Sequence, residues 1–265
     1  MTATVPILMY HAVAEHPSAA SKRLSVSPDS FEEQVAFLVE HGFTGMTFSD
    51  LADAFETSKA LPKRPVVITF DDGYADFANA ALPVLQRYDC PATVFVTSGW
   101  IADAGPYAGG TPLDKMMTWA QVRDVAQAGI EIGAHSHSHP ELDQLADAAL
   151  WEELRVSRVL LEDCIGTPVR ALAYPFGYTT PRVRLAARAA RYRCAAAVRN
   201  VRASAFDDIF MLPRLTIRRS TNAVAFASAM IGGDDRVFRR DRLLTAGWAS
   251  VRSARRVRKR VLGNA

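Results

Sequence analysis

Three histidines fall within five residues, His135-Ser136-His137-Ser138-His139, followed by Pro140, so half of the chain's six histidines lie in one segment. Imidazole is the commonest protein ligand for zinc and related divalent ions. A helical turn would put His135 and His139 on one face, whereas an extended path would align all three. The ordinary alternative is a polar loop whose histidines are satisfied by their neighbours. A second concentration is Asp71-Asp72-Gly73. Two adjacent carboxylates are costly unless a cation, a proton or hydrogen bonds compensate them. One reading makes one of them a metal ligand and the other a general base. The other reading is a helix N-cap with an acid in the first turn, favoured by the helix dipole. Two histidines and one carboxylate would leave coordination positions open for water and substrate, as a catalytic metal requires.

These residues share a place in the pattern. Short apolar, β-branched runs alternate with longer amphipathic stretches, and seven runs read as strands: Pro6–Tyr10, Val66–Phe70, Ala92–Thr97, Ile130–Ala134, Ala171–Tyr174, Cys194–Val198 and Leu212–Ile217. Their near-continuous hydrophobicity suits parallel strands covered on both faces. Ser27-Pro28 opens a helix that Gly42 closes, Thr118 with Gln121 forms a capping box, and Thr180-Pro181 starts another helix. A longer helix is expected over about residues 144–163. Repeated β-then-α alternation argues for a βα barrel or a doubly wound sheet. His11 follows the first run, Asp71-Asp72 the second, the histidine cluster the fourth and Pro175-Phe176-Gly177 the fifth. In parallel βα architectures the carboxyl ends of the strands share one face, and that face carries the site.

Composition bounds the rest. The chain has 265 residues, 49% hydrophobic and 22% charged, enough for one large domain or two small ones and too apolar for general disorder. No run approaches the roughly 18 apolar residues of a membrane span. The net charge of +3 averages two unlike parts. Residues 236–265 hold ten Arg/Lys and one acid, or +9, and the remaining 21 basic and 27 acidic residues give −6. The basic balance is therefore no nucleic-acid signature for the body. Three scattered cysteines (Cys90, Cys164, Cys194) make neither a disulfide framework nor a Cys-type zinc site. Met1–Tyr10 lacks the basic and apolar regions of a secretory signal. The expectation is a cytoplasmic setting.

Three ordered segments resemble the polysaccharide deacetylase family, carbohydrate esterase family 4, whose core is the NodB homology domain: Thr69-Phe70-Asp71-Asp72-Gly73, His135-Ser136-His137-Ser138-His139-Pro140, and Arg170 with Tyr174-Pro175-Phe176-Gly177. The similarity spans roughly residues 5–217. It implies an α/β fold, a distorted (β/α)7 TIM-like barrel. It also implies Asp71 as general base, and Asp72, His135 and His139 as ligands of a divalent metal, Zn2+ first and Co2+, Ni2+ or Mn2+ as alternatives. His137 would be a variable neighbour. Arg170 would orient Asp71 through an ion pair, and the backbone N–H of Phe176 would help hold the oxyanion.

The chain departs from the family where a late Leu-x-His motif usually protonates the leaving amine. No histidine follows His139, and the corresponding stretch reads Met211-Leu-Pro-Arg214-Leu-Thr-Ile217. The first strand supplies Met9-Tyr10-His11 instead, which resembles the biofilm poly-N-acetylglucosamine and other exopolysaccharide deacetylases, so His11 is the expected general acid. Among the aromatics, Trp100, Tyr107, Trp119 and Tyr178 could stack on a sugar, with core packing the better reading for Trp119. Arg214 could contact the acid pair or a substrate anion.

From Arg236 the apolar positions Leu244, Trp248, Val251, Ala254, Val257 and Val261 recur at helical spacing amid arginines. The chain is accordingly divided into a barrel, 1–235, and a basic amphipathic helical tail, 236–265, which would meet an anionic membrane surface at its inner face, the acidic body, or another copy. The activity expected is metal-dependent N-deacetylation of N-acetylhexosamine units in a bacterial exopolysaccharide or its lipid-linked precursor. An O-acetyl esterase, or a weakly active carbohydrate-binding protein, stands as the alternative.

Overall fold

A computed structural model describes residues 4–231, 238–243, 247, 252 and 255. Eight strands are joined in parallel: β1 Ile7–Tyr10, β2 Thr44–Met46, β3 Pro65–Phe70, β4 Thr93–Val96, β5 Glu131–Ala134, β6 Ala171–Ala173, β7 Cys194–Val198 and β8 Leu212–Thr216. Their order is β1-β8-β7-β6-β5-β4-β3-β2, with a further β1–β3 pairing that closes seven of them into a ring. These are the seven runs read from the sequence, and the α/β (β/α)7 barrel is the fold. The strand that sequence reading missed, β2, pairs with the first half of β3 (Thr44↔Pro65 to Met46↔Val67), while β4 pairs further along (Thr69↔Thr93). It is a wedge at the bottom of the barrel, half exposed and without an apolar run.

Helices cover the ring: α1 Pro28–Glu40, α2 Phe48–Thr57, α3 Leu82–Arg87, α4 Trp119–Gln127, α5 Asp147–Ile165, α6 Pro181–Ala189 and α7 Ala223–Ile231. Their starts follow the sequence punctuation. Ser27 Oγ accepts from the Ser30 N–H ahead of Pro28, Thr118 and Gln121 cap each other reciprocally, and Thr180 accepts from the Val183 N–H. The long helix starts later than expected because Leu142–Gln144 form a separate turn.

Strand parity separates two cores. Leu8, Ile68, Val94, Ile132, Leu172 and Leu215 face the helices, whereas Ile7, Val67, Phe95, Ala171, Ala196 and Leu212 fill the ring. Phe48, Leu51 and Phe55 of α2 pack into that inner cluster, so α2 plugs the bottom. Phe48 meets Phe95 edge-on at 5.5 Å and its N–H donates to Thr93 Oγ1. The opposite, carboxyl end of the strands is left for function. Among the described residues no helix is long and apolar enough to cross a membrane.

Candidate active site

Parity also decides which polar residues face the open end. Continuing the inward positions beyond Ile7, Val67 and Leu212 gives His11, Asp71 and Arg214, and beyond Gly133 gives His135. Alternation would turn Asp72 outward. Its backbone takes a left-handed φ of 77°, which re-aims it, and both carboxylates face the site. Ser136, His139, Phe176 and Asn200 also have positive φ, so five of the nine such non-glycine residues described belong to the loops around this end. Strain of this kind persists only where the surroundings enforce it. The Pro175–Gly177 turn shows how tight the enforcement is: a Cβ on Gly177 (φ 73°) would lie 2.4 Å from Val198 Cβ.

The histidine loop is held from both sides. Glu153 of α5 accepts from the N–H groups of His137 (2.9 Å) and Ser138 (2.8 Å), and Ser98 Oγ pairs with His137 Nδ1 at 2.9 Å. His137 is thereby turned away. His135 and His139 remain, with Nε2 atoms 3.5 and 3.4 Å from Asp72 Oδ1, and the three ligand atoms lie within 4.8 Å of one another. His135 Nδ1 donates to the Ala173 carbonyl at 2.8 Å, which leaves the lone pair on Nε2. Burial pushes both imidazoles down to about 4, against the opposing pull of Asp71, so both are neutral at pH 7. Asp72 Oδ1 is buried with no hydrogen-bond partner. The Asp72 carboxylate oxygen and the Nε2 atoms of His135 and His139 thus converge on one point, a donor set that fits a divalent cation.

Asp71 is treated differently. Burial alone would raise its pKa, but the Arg214 charge, followed by His135, Arg214's hydrogen bonds and His11, holds the carboxyl far below the usual range. Arg214 Nη1 donates to Asp71 Oδ1 at 2.6 Å and Nη2 to Oδ2 at 2.7 Å, while Nη1 also reaches Thr69 Oγ1 at 3.1 Å. Arg214 is fully buried, so it does not contact substrate; it is the arginine that orients Asp71.

The expectation for Arg170 is overturned. It precedes β6, at the bottom of the barrel, and its Nη2 donates to both oxygens of Asp53 in α2 at 2.5 and 2.7 Å. One strand's length separates it from the turn that follows β6, and the acid plugging the bottom is the one within reach. Trp100 is also corrected. It is buried, packs on His139 with ring centroids 4.8 Å apart, and backs the ligand rather than facing a sugar.

A cavity of about 340 Å³ opens over these groups, lined by Met9, His11, Asp71, Asp72, His135, His139, Phe176, Tyr178, Asn200, Arg218 and Asp241 among others. His11 Nδ1 is buried without a hydrogen-bond partner. Phe176, half exposed, meets His139 edge-on at 4.7 Å and stacks on Tyr178 at 5.6 Å. Residues beyond 236 reach this face as well: Phe238 is buried in the outer core, Asp241 pairs with Arg218 at 3.2 Å, and the Arg252 guanidinium lies 3.2 Å from the Tyr178 ring centroid. The apolar stripe of Leu244, Trp248, Val251, Ala254, Val257 and Val261 lies outside the described residues.

The sequence profile of the family described as "Polysaccharide deacetylase" matches residues 58–195, from ahead of β3 into β7. YxkH of Bacillus subtilis is 27% identical over 226 residues, 85% of this chain and 76% of its own length. The poly-β-1,6-N-acetyl-D-glucosamine N-deacetylase of Escherichia coli is 32% identical over 150 residues, 54% of this chain; the match spans only 22% of that protein. Among solved structures, the Streptococcus pyogenes deacetylase PplD in complex with acetate superposes with a TM-score of 0.77 at 26% identity, covering 87% of this chain and 99% of that one.

Proposed function

Because the chain belongs to the polysaccharide deacetylase family, we propose that it removes N-acetyl groups, with a divalent metal bound, from N-acetylhexosamine units of a bacterial exopolysaccharide or its lipid-linked precursor. The observation that carries this reading is the forked Arg214–Asp71 pair beside the Asp72, His135 and His139 donor set in one cavity. The substrate class rests on the E. coli relative, whose name specifies poly-β-1,6-N-acetyl-D-glucosamine.

Asp72, His135 and His139 would hold the metal, which when bound supplies Lewis acidity toward the acetamide carbonyl and toward water. Asp71, kept ionised by Arg214, accepts the proton of the attacking water at its carboxylate. The Phe176 N–H donates to the oxygen on which charge develops. His11 delivers a proton to the departing amine; apart from the two ligands it is the histidine that lines the cavity. Tyr178 and the exposed face of Phe176 offer an aromatic wall to the sugar ring. The +9 segment from residue 236 supports action close to an anionic membrane surface.

The test is acetate release from N-acetylglucosamine oligomers, with metal added or chelated, for the native chain and for Asp72→Ala. Release that depends on metal and is lost in the variant is expected. Release that survives both chelation and the substitution would overturn the reading, and faster release from an O-acetyl ester would redirect it to an esterase.

A further inference from the structure

Beside the active-site cavity lies a second one of about 510 Å³, and Arg218 and Asp241 line both. Among the described residues its wall carries five cations, Lys22, Arg23, Arg218, Arg219 and Arg240, against one acid, Asp241. They come from three separate stretches: the turn Lys22–Leu24 after β1, the segment leaving β8, and the helical turn at 238–243. Asp241 Oδ1 lies 3.2 Å from Arg218 Nη2 and offsets that one charge. Lys22, Arg23 and Arg240 meet no acidic side chain among the described residues, and Arg219 reaches only Ser25 Oγ at 3.4 Å. Arg218 Nε is buried without a partner. Ordinary surfaces intersperse the two signs, because like charges gathered in a concave wall repel one another. An anion seated there would relieve that repulsion.

We propose that this cationic groove binds a phosphate carried by the substrate, so that the preferred substrate is an N-acetylated sugar bearing a phosphate or diphosphate rather than a neutral glycan. The inference rests on the deacetylase reading above and narrows its substrate class. Guanidinium forks match the oxygens of phosphate with paired hydrogen bonds, and the surplus of four cations exceeds what one carboxylate needs. Because the two cavities share Arg218 and Asp241, a glycan with its acetamide at the Asp72 end can run its anionic end into the groove.

The experiment compares a neutral N-acetylglucosamine oligomer with the same oligomer carrying a reducing-end phosphate, in the native chain and in the double variant Arg23→Ser/Arg240→Ser. Both substituted residues are exposed and outside the catalytic machinery. The expected result is a KM about tenfold lower for the phosphorylated oligomer, an advantage the double variant abolishes while leaving the neutral oligomer's turnover unchanged. Equal KM values for the two oligomers, or equal losses on both, would overturn the proposal. So would an equal gain with a reducing-end uronic acid, which would assign the groove to carboxylates. Binding to phosphatidylglycerol vesicles that falls in the variant, without any preference for the phosphorylated oligomer, would assign it to a membrane surface. If no glycan is deacetylated, calorimetric titration with the phosphorylated oligomer still decides: affinity reduced about tenfold in the variant supports the groove, and unchanged affinity refutes it.

Discussion

Arg214 and Arg170 each hold an aspartate at hydrogen-bond distance, at opposite ends of the same barrel. Arg214 sits within β8, fully buried, and meets Asp71 fork to fork with one nitrogen on each oxygen. Arg170 sits just ahead of β6, with its side chain 40% exposed, and offers one nitrogen to both oxygens of Asp53, itself 43% exposed. The partners are equally close, so distance does not distinguish the pairs. Solvent does. At the bottom, water screens the charges and would solvate either group alone. At the top, both charges are out of water, and Asp71 depends on Arg214 to stay ionised. The buried pair can therefore set the chemistry of Asp71, and the exposed one merely fastens α2 over the lower opening.

Breaking the buried pair should have the largest effect. Arg214→Met leaves an uncompensated carboxyl at the barrel's centre and should cost about 3–5 kcal/mol of stability, read from urea unfolding. It should also lower acetate release by about 10²–10⁴, because Asp71 loses the charge that keeps it a base. Arg214→Met combined with Asp71→Leu should restore much of the stability and none of the activity. Full stability in Arg214→Met alone would mean that Asp71 does not depend on Arg214.

At the same end, His11→Ala should reduce amide turnover by about 10²-fold while leaving bound metal, measured by elemental analysis, unchanged. Loss of metal along with turnover would instead make His11 part of the cation site. Unchanged turnover would remove it from proton transfer altogether.

A third carboxylate isolates what burial does without an arginine. Asp76 is pushed up to about 6, chiefly by burial, with Asp114 adding to the rise and a hydrogen bond from the Val13 backbone opposing it. Its Oδ1 is buried without a partner. Because the folded-state value lies above the unfolded one, the folded chain holds the proton that the unfolded chain releases near pH 4. Stability from this group is full below about pH 4 and is lost as the pH rises through about 6, by an amount on the order of 2 kcal/mol. Asp76→Asn should flatten that dependence. Urea unfolding of both chains at pH 4.5 and pH 7 measures the difference, and identical slopes for the two chains would refute the assignment.

What could be read in the sequence follows from the range of each interaction. The seven ring strands are apolar runs because both of their faces are covered, and the caps at Ser27, Thr118 and Thr180 act over three residues. The Asp71-Asp72 pair and the three clustered histidines stood out by type and spacing, the resemblance singled out His135 and His139, and the parallel topology brought those two and the acid pair to one cavity. β2 escaped notice because Thr44-Gly45-Met46 is short and half exposed, with no periodicity to detect. For Arg214 the sequence leaves two readings, the acid pair or a substrate anion, and only the fold chooses, because Arg214 and Asp71 are 143 residues apart and meet when β8 closes the ring. One local sign was present: an arginine inside the apolar stretch Leu212-Pro213-Arg214-Leu215 must find an anion if that stretch is an inner strand. Arg170, conspicuous for its motif position, precedes the run Ala171–Tyr174, so parallel strands whose carboxyl ends carry the site already put it at the far end from Asp71, against the role the resemblance implied.

The smallest expected effect is also the most discriminating for the exposed pair. Arg170→Met removes the contact to Asp53, but both groups keep access to water, so the loss should stay within about 1 kcal/mol. Acetate release should be unchanged, since β6 lies between Arg170 and the Pro175–Gly177 turn and none of the active-site hydrogen bonds passes through it. A shift of that size should also shrink in high salt, which screens exposed pairs and leaves buried ones largely untouched. The same salt titration applied to Arg214→Met should therefore show a stability gap that persists. If Arg170→Met instead lowers turnover while stability holds, the lower end of the barrel communicates with Asp71 along β6, and the division between a fastening pair and a catalytic pair fails.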